Sequence, residues 1–577
     1  MTLAARNKIR AALTHRKFFW LAALAGFLIA LPSLVSGLWM DDYRQRIIML
    51  TDITRNPFDF FRPGSPAVAE LLQRGVIPWW TYPETKLSFF RPVAHWLMQL
   101  DYRLWPNDIP LMHLHSVLWY AALVALTGLT YRRLMSLPLA AGFAALMFAL
   151  DAGHGGAVAW LANRNAMVAM AGSMLVLLCY RRTQWYWLLA GCAIFAVTLG
   201  CAEAALAITG YLFAYEVFLS RQRWAVRMLR LLPYAVVAVL WLAFWHFHGY
   251  GSRAHGFYTD PGSEPIKFLR GLVYRAPAFL FGQLTLVPVE VFWVLETSRW
   301  HLAAWLSVLA GCAVLVKLFR PLLKESALAR FYMLGMCIAT IPICGSQLVS
   351  RSLWYVSFGA IGLLGLLFER YFSAPESAGP GFRRFVKTML VLHLVISPIA
   401  FVVDTQAGKW LDNSMDTRTL HIPDAEQTPN AVLALSANRF ESNVFVPLLK
   451  DEALSLGTAP RRPRPSIARF RLLTNGPGRY ELWRKDENTL VASRDSGFEK
   501  MREGKYGFDA GERVALDDVV ITVLAVNTDR AATEIEYRFK PGVLDSYDVI
   551  AWRGNHFVPA KLPAVGERVS VDVVPPF

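Results

Sequence analysis

The sequence predicts an α-helical polytopic membrane protein with a β-rich, sandwich-like domain at its C-terminal end. Three observations carry this. Hydrophobic residues make up 55 % of the 577 and charged residues only 18 %, where soluble chains carry roughly 25 % charged. Apolar runs long enough to cross a bilayer recur from Phe18 to Val403, with basic clusters at alternate ends. Beyond them the chain turns polar and alternates with a period of two. Mean hydropathy is +0.34. Twenty Trp, 20 Tyr and 36 Phe suit lipid interfaces. The net charge of +16 is the kind of excess that collects in cytoplasmic loops, so no nucleic-acid partner is expected. The six cysteines lie in or beside apolar stretches and form no CxxC pair, which argues against a zinc or redox motif.

Phe18–Leu38 is the first apolar run. At about 1.5 Å per residue it covers roughly 31 Å, one hydrocarbon thickness. Arg6, Lys8, Arg10, Arg16 and Lys17 precede it and predict a cytoplasmic N-terminus. The run exceeds a signal-peptide core and no A-x-A site follows, so it reads as an uncleaved helix. A long outer loop, 39–110, comes next. Further spans are predicted near Leu111–Tyr131, Leu137–Leu150, Ala166–Tyr180, Trp185–Gly200, Ala204–Leu219 and Leu231–Phe247. Arg132 and Arg133, then Arg181 and Arg182, then Arg221, Arg223, Arg227 and Arg230 all fall on the N-terminal side. Arg275, Pro277 and Pro288 interrupt Gly271–Glu296, which predicts a re-entrant or interfacial pair on the outer side. His301–Phe319, Phe331–Leu348, Leu353–Phe368 and Thr388–Val403 complete about eleven crossings.

The predicted domains are therefore 1–403, in the membrane, and 404–577, outside the cytoplasm. Residues 404–470 read as mixed. Asn475-Gly476-Pro477-Gly478 is a turn signal. Glu534–Phe539 and Val569–Val573 alternate as half-buried antiparallel strands do, and a series of such candidates predicts a β-sandwich.

The residues that can carry chemistry cluster on the predicted outer face. Asp41 and Asp42 follow the first span directly. Carboxylates there can act as a base toward a hydroxyl or hold a divalent cation, Mg or Mn, or they can simply be a solvated helix end. Arg91, in Ser88-Phe89-Phe90-Arg91-Pro92, can pair with phosphate or touch lipid headgroups. Asp101 and His113 follow. The loop from Asp151 to Arg164 carries His154 and Trp160, and its glycines allow close backbone approach. Glu203 lies at the next outer turn, and Arg351 and Tyr355 at a later one. Charges near the membrane on one face are functional candidates. Together they outline a polar cavity suited to a phosphorylated lipid with a transferable headgroup.

On these residues the chain resembles polytopic glycosyltransferases of the GT-C class. It is most similar to the transmembrane O-mannosyltransferases that target cadherins and to their bacterial relatives. Asp41-Asp42 resembles the acidic pair after the first helix. Phe90-Arg91-Pro92, Asp101, Leu104-Trp105 and His113-Leu114 follow the family's order. Ala157-Val158-Ala159-Trp160 with Arg164, Glu203, and Arg351 with Tyr355 complete the set, within about residues 18–370. Ser116, Asp151, Gly156, Ala166 and Ala202 depart from the pattern, and the β-domain replaces a tetratricopeptide tail. The resemblance implies an inverting hexosyltransferase that uses a polyprenyl-phosphate-linked sugar donor. The acceptor, a glycan, lipid or protein, would bind from the outer side. Asp42, or Asp41, would be the base, with a divalent metal as an addition. Arg91, Arg351 and Arg164 would hold the donor phosphate. His154, Glu203, Trp160, Tyr355, Asp101 and His113 would position substrate. The expected location is a bacterial inner membrane with the C-terminal domain periplasmic. A lipid-linked sugar transporter or flippase, an O-antigen ligase or polymerase, and a non-catalytic assembly protein are the rival readings.

Overall fold

The computed structural model describes residues 10–254, 257–296, 298–373, 379–410, 430–437, 467–476, 478–498, 501–502, 504–553 and 556–573. The chain divides into two compact units. One is Met1–Leu38 with Phe89–Lys409, and the other is Trp39–Ser88 with Trp410–Phe577. The sequence reading cut once, at residue 403. The structure instead groups residues 39–88 of the long loop with the C-terminal domain. The reason is that Trp79 and Trp80 are buried in that domain's core.

The first unit is a helical bundle. Seven helices among the described residues are long and apolar enough to cross a membrane, or eight if the bent pair Pro138–Ala149 and Ala152–Ala159 is one span. Trp185–Leu199 and Ala327–Ile343 are shorter apolar helices. Length and composition thus support seven or eight crossings, and the figure of about eleven stays with the sequence reading. Phe18–Ala30 continues as a 3-10 turn, Leu31–Val35, where Pro32 tightens the winding. Asp108 caps Ile109–Leu134 by accepting from Leu111 N at 3.1 Å, and Arg132 and Arg133 lie in the last turn, favourable for the helix dipole.

Gly271–Glu296 lies in two helices that break before Val289, near Pro288 as predicted, but not at Arg275 or Pro277. Pro265–Thr285 is one helix of 21 residues with Pro277 inside it, and Val289–Glu296 follows as a short second helix. Arg275 fits because Glu296 pairs with it at 3.0 Å and the carbonyls of Cys344 and Ser346 accept from it at 3.2 and 3.0 Å. His301–Glu325 also runs past the predicted end, through Pro321.

Small residues set the packing. A Cβ on Gly142 would stand 2.3 Å from the Leu13 carbonyl oxygen, and one on Gly365 would stand 2.6 Å from that of Ala140. Backbones approach this closely only where a side chain is missing. Tyr131 stacks on Phe358 with ring centroids 4.9 Å apart, and its hydroxyl donates to the Phe358 carbonyl at 2.6 Å. Outward, Trp224–Phe247 and His301–Glu325 expose Leu229, Leu240, Leu302 and Val314. Apolar side chains on an unpartnered surface are what a helix facing lipid presents. At one end of this bundle Arg230 pairs with Glu216, Arg370 with Glu325, and Arg132 reaches the Thr14 carbonyl.

Among the described residues the second unit contains two larger sheets, besides the short paired strands Asp59–Phe61 and Lys86–Ser88. Six antiparallel strands run in the order Arg568–Val573, Gly478–Asp486, Thr489–Ser493, Ala532–Phe539, Val519–Val526, Arg513–Ala515. Four more run His556–Pro559, Asp548–Arg553, Asn430–Ala437, Ile467–Asn475. The last three of these are parallel to one another. The domain is β-rich as expected, but its second sheet is mixed rather than antiparallel. Ile535, Tyr537 and Phe539 point into the core, as the period of two requires. Pro477 of the predicted turn lies outside the described residues, as do 411–429 and 438–466 of the stretch read as mixed.

Candidate functional site

The polar end of the bundle collects the predicted outer turns. The turn at 150–163 meets the turn at 350–352 and the helix Ser397–Thr405. Ser36 and His113 join them: His113 Nε2 donates to the Gly37 carbonyl at 2.8 Å, and Ser36 Oγ lies 3.5 Å from the Ala159 carbonyl. His113 is fully buried and ties the first two spans together.

Asp101 and Arg164 form a buried ion pair, 3 % and 5 % exposed. Arg164 also donates through Nε to Ser116 Oγ at 2.8 Å and through Nη2 to the Met112 carbonyl at 2.7 Å. Each guanidinium nitrogen is committed within the protein. The expectation that Arg164 holds a donor phosphate therefore meets an arginine that locks helices instead. His115, missed in the sequence, completes the group. Trp119 Nε1 donates to its Nε2 at 3.0 Å, so Nδ1 carries the proton given to Asp101 Oδ1 at 2.6 Å. Nothing in the sequence singles His115 out except its place two residues after His113.

Arg91 and Glu203 are brought together from residues far apart in sequence. Arg91 Nε and Nη2 lie 2.9 and 2.8 Å from Glu203 Oε2, and the guanidinium sits 4.1 Å above the Phe89 ring. Glu203 Oε1 has no hydrogen-bond partner among the described residues. Arg91 thus already holds a carboxylate, and Glu203 keeps one oxygen in reserve.

His154 is buried. Its ring stacks on Trp354 at 4.2 Å, and Nδ1 lies 3.1 Å from the Phe148 carbonyl and 3.2 Å from Tyr120 Oη. Asp151 accepts from Gln283 Nε2 at 2.7 Å, from Gly153 N at 3.1 Å and from Ser357 Oγ. Tyr355 is 1 % exposed and pairs with Ser173 Oγ at 2.8 Å. His154 and Tyr355 are thus packed into the bundle.

Arg351 differs from the other arginines of this end. Its guanidinium lies 4.2 Å above the Trp160 ring, it is partly exposed, and no carboxylate pairs with it among the described residues. The neighbouring Ser350 is held by Glu290, which accepts from its N at 2.6 Å and its Oγ at 2.8 Å. Asp404 was also missed, although a carboxylate closing an apolar run is a readable signal. Its Oδ2 accepts from Gly156 N at 2.7 Å, and a Cβ on Gly156 would stand 2.8 Å from that oxygen.

Asp41 and Asp42 lie in the second unit, in the first turn of the helix Asp41–Thr51. Carboxylates there face the positive end of the helix. Met40 before them has φ +46, so the chain enters the helix through a strained turn. Asp42 is 2 % exposed, and its Oδ2 accepts from Trp39 N at 3.0 Å. Asp41 is partly exposed. The sequence reading put Asp42 first as base, but the geometry turns Asp42 back onto the backbone and leaves Asp41 the accessible member. Among the described residues no three His, Cys, Asp or Glu side chains gather to hold a metal ion. The Mg or Mn expected from the sequence would meet one accessible carboxylate here.

The fold and site define a polytopic helical membrane protein with a polar, arginine-bearing end and a separate β-rich unit. No protein-family model matches the chain, and no curated protein matches it. Solved structures do resemble it. The apo crystal structure of the Archaeoglobus fulgidus oligosaccharyltransferase is 13 % identical over 75 % of this chain and 64 % of that one, with a TM-score of 0.40. The oligosaccharyltransferase AglB of the same organism, in complex with an inhibitory peptide and a dolichol-phosphate, is 14 % identical over 74 % of this chain and 63 % of that one, at 0.35. ArnT from Cupriavidus metallidurans, bound to undecaprenyl phosphate, is 12 % identical over 91 % and 98 %, at 0.36. The chain spans less than two thirds of the length of either oligosaccharyltransferase structure.

Proposed function

We propose that this protein is a GT-C class glycosyltransferase that moves a sugar from a polyprenyl-phosphate carrier to an acceptor hydroxyl, with inversion. The observation that carries this is Arg351, a cation on Trp160 that no carboxylate pairs with among the described residues, at the polar end of a membrane bundle. A phosphate is the ligand such a group suits. The resemblance of Asp41-Asp42 to the GT-C acidic pair gives Asp41 the role of taking the proton from the acceptor hydroxyl. That oxygen bonds to the sugar's anomeric carbon as the bond from that carbon to the phosphate oxygen breaks, and the electron pair leaves with the phosphate. Arg351 stabilises the charge that develops there, the kind of interaction that contributes most to rate. Asp41's exposure supports it as base over Asp42. Glu203 Oε1, without a hydrogen-bond partner, supports a role in accepting a sugar hydroxyl. The protein would lie in a bacterial inner membrane, with the basic end cytoplasmic.

The test is transfer from a panel of radiolabelled polyprenyl-phosphate sugars by the full chain in detergent, with and without chelator. Asp41→Asn is expected to lower kcat by about a hundredfold or more and leave donor binding intact. Arg351→Ala is expected to weaken donor binding by about tenfold or more. Donor that binds but turns over equally in both variants would place the chemistry elsewhere.

A further inference from the structure

We propose that the C-terminal β-domain is the positioning element for the acidic pair, and that Arg502 is the residue that couples the two. The proposal rests on the transferase reading for its functional meaning. The first loop is built into that domain. Trp79 and Trp80 are 4 % and 2 % exposed within its core. Trp79 Nε1 donates to the Leu473 carbonyl at 3.4 Å. Gly75, at φ +77, lies so close that a Cβ would stand 1.7 Å from the Phe470 carbonyl oxygen. Gln73 is gripped from both sides: Arg471 Nη2 donates to its carbonyl at 2.8 Å, and its Oε1 accepts from Asp517 N at 2.8 Å.

Arg502 sits at the centre of the attachment. It is 6 % exposed, donates Nε to the Trp80 carbonyl at 2.6 Å and Nη2 to that of Thr81 at 3.3 Å, and pairs through Nη1 with Glu512 at 2.6 Å. Its guanidinium lies 4.5 Å above Phe508. Only a planar fork meets two carbonyls, a carboxylate and a ring at once. From Thr81 the chain runs directly into the strand Lys86–Ser88, which pairs with Asp59–Phe61. Arg44 then ties that hairpin to the acidic helix, donating to the Pro57 carbonyl at 3.2 Å and the Asp59 carbonyl at 2.8 Å. Hydrogen bonds joined by the short stretch of chain from Thr81 to Lys86 thus lead from Arg502 to the first turn that carries Asp41 and Asp42. A displaced catalytic group loses rate steeply with distance, so the domain's grip on the loop would be felt in kcat.

The experiment uses the full chain in detergent with Arg502→Ala, Arg502→Lys and the exposed-pair control Arg479→Ala. Three quantities are read: tryptic cleavage within 39–88, donor binding, and kcat against KM for the acceptor. Arg502→Ala is expected to speed loop cleavage and lower kcat by about tenfold or more, with donor Kd within about twofold. Arg502→Lys should recover part of both, since an ammonium reaches one carbonyl but not the fork. Arg479→Ala should match wild type. If Arg502→Ala fails to fold, Trp79→Phe removes one hydrogen bond, keeps an aromatic ring at the site and is read in the same way. A loop that is released while kcat holds overturns the proposal. So does a loss of kcat with the loop still protected. A wild-type chain that transfers nothing overturns the transferase reading and the positioning role with it, and proteolysis then reports the coupling alone.

Discussion

Removing Arg164 takes the charged partner from the buried Asp101 and leaves it held by the His115 ring. A buried carboxylate without its partner costs about 3–5 kcal/mol, so Arg164→Ala should lower the unfolding temperature sharply in a fluorescence melt. Arg351→Ala leaves no carboxylate unpaired among the described residues, so it should melt near wild type while losing donor. The two arginines look alike in the sequence, and only their partners separate them. Asp518 makes a pH prediction. Burial alone would raise its carboxyl, but the Arg471 hydrogen bonds and charge, with the Tyr547 hydroxyl, hold it below the usual carboxylate range. A group with a depressed folded pKa contributes stability above its unfolded value, near about 4, and loses it as pH falls through the folded one. The β-domain should therefore weaken on acidification below about pH 4, and Asp518→Asn should flatten that acid limb while lowering stability at neutral pH. Tryptophan fluorescence across a pH series measures both.

At the scale of the element, two glycine features decide packing. Gly359, Gly362 and Gly365 line one face of Trp354–Ser373, where added Cβ atoms would meet Met336, Tyr332 and the Ala140 carbonyl at 2.6, 2.7 and 2.6 Å. Gly362→Val should cost about 1–3 kcal/mol through overpacking and show as lost monodispersity on size exclusion. Gly75→Ala combines a positive φ with a backbone clash, and should release the first loop to trypsin as Arg502→Ala does. The helical spans were legible because apolar runs and basic flanks are local signals. The Pro265–Thr285 helix was not. Its proline and arginine read as breaks, and the partners that satisfy Arg275 lie at Glu296, Cys344 and Ser346.

At the scale of the whole molecule, the basic end and the polar end predict an orientation. Single cysteines introduced at Gln184 and Ser546, in a background cleared of the native six, should differ in whole cells. An impermeant maleimide should label the second and spare the first; equal labelling would overturn the assignment. Composition, run length and charge placement were enough to specify a polytopic membrane chain with a β-rich end, because each is read within a short window. The residues expected on the outer face were picked out by the same short-window signals. What each residue does was decided only by tertiary structure. Arg164 became a lock and Arg91 a partner of Glu203 because partners distant in sequence satisfied them, while Asp42 turned back onto the Trp39 N–H three residues before it. The assignment of the first loop to the C-terminal unit was also hidden. It depends on Trp79 and Trp80 finding a core built some four hundred residues later, as the Arg502 to Trp80 bond across 422 positions shows, and no local pattern carries that separation.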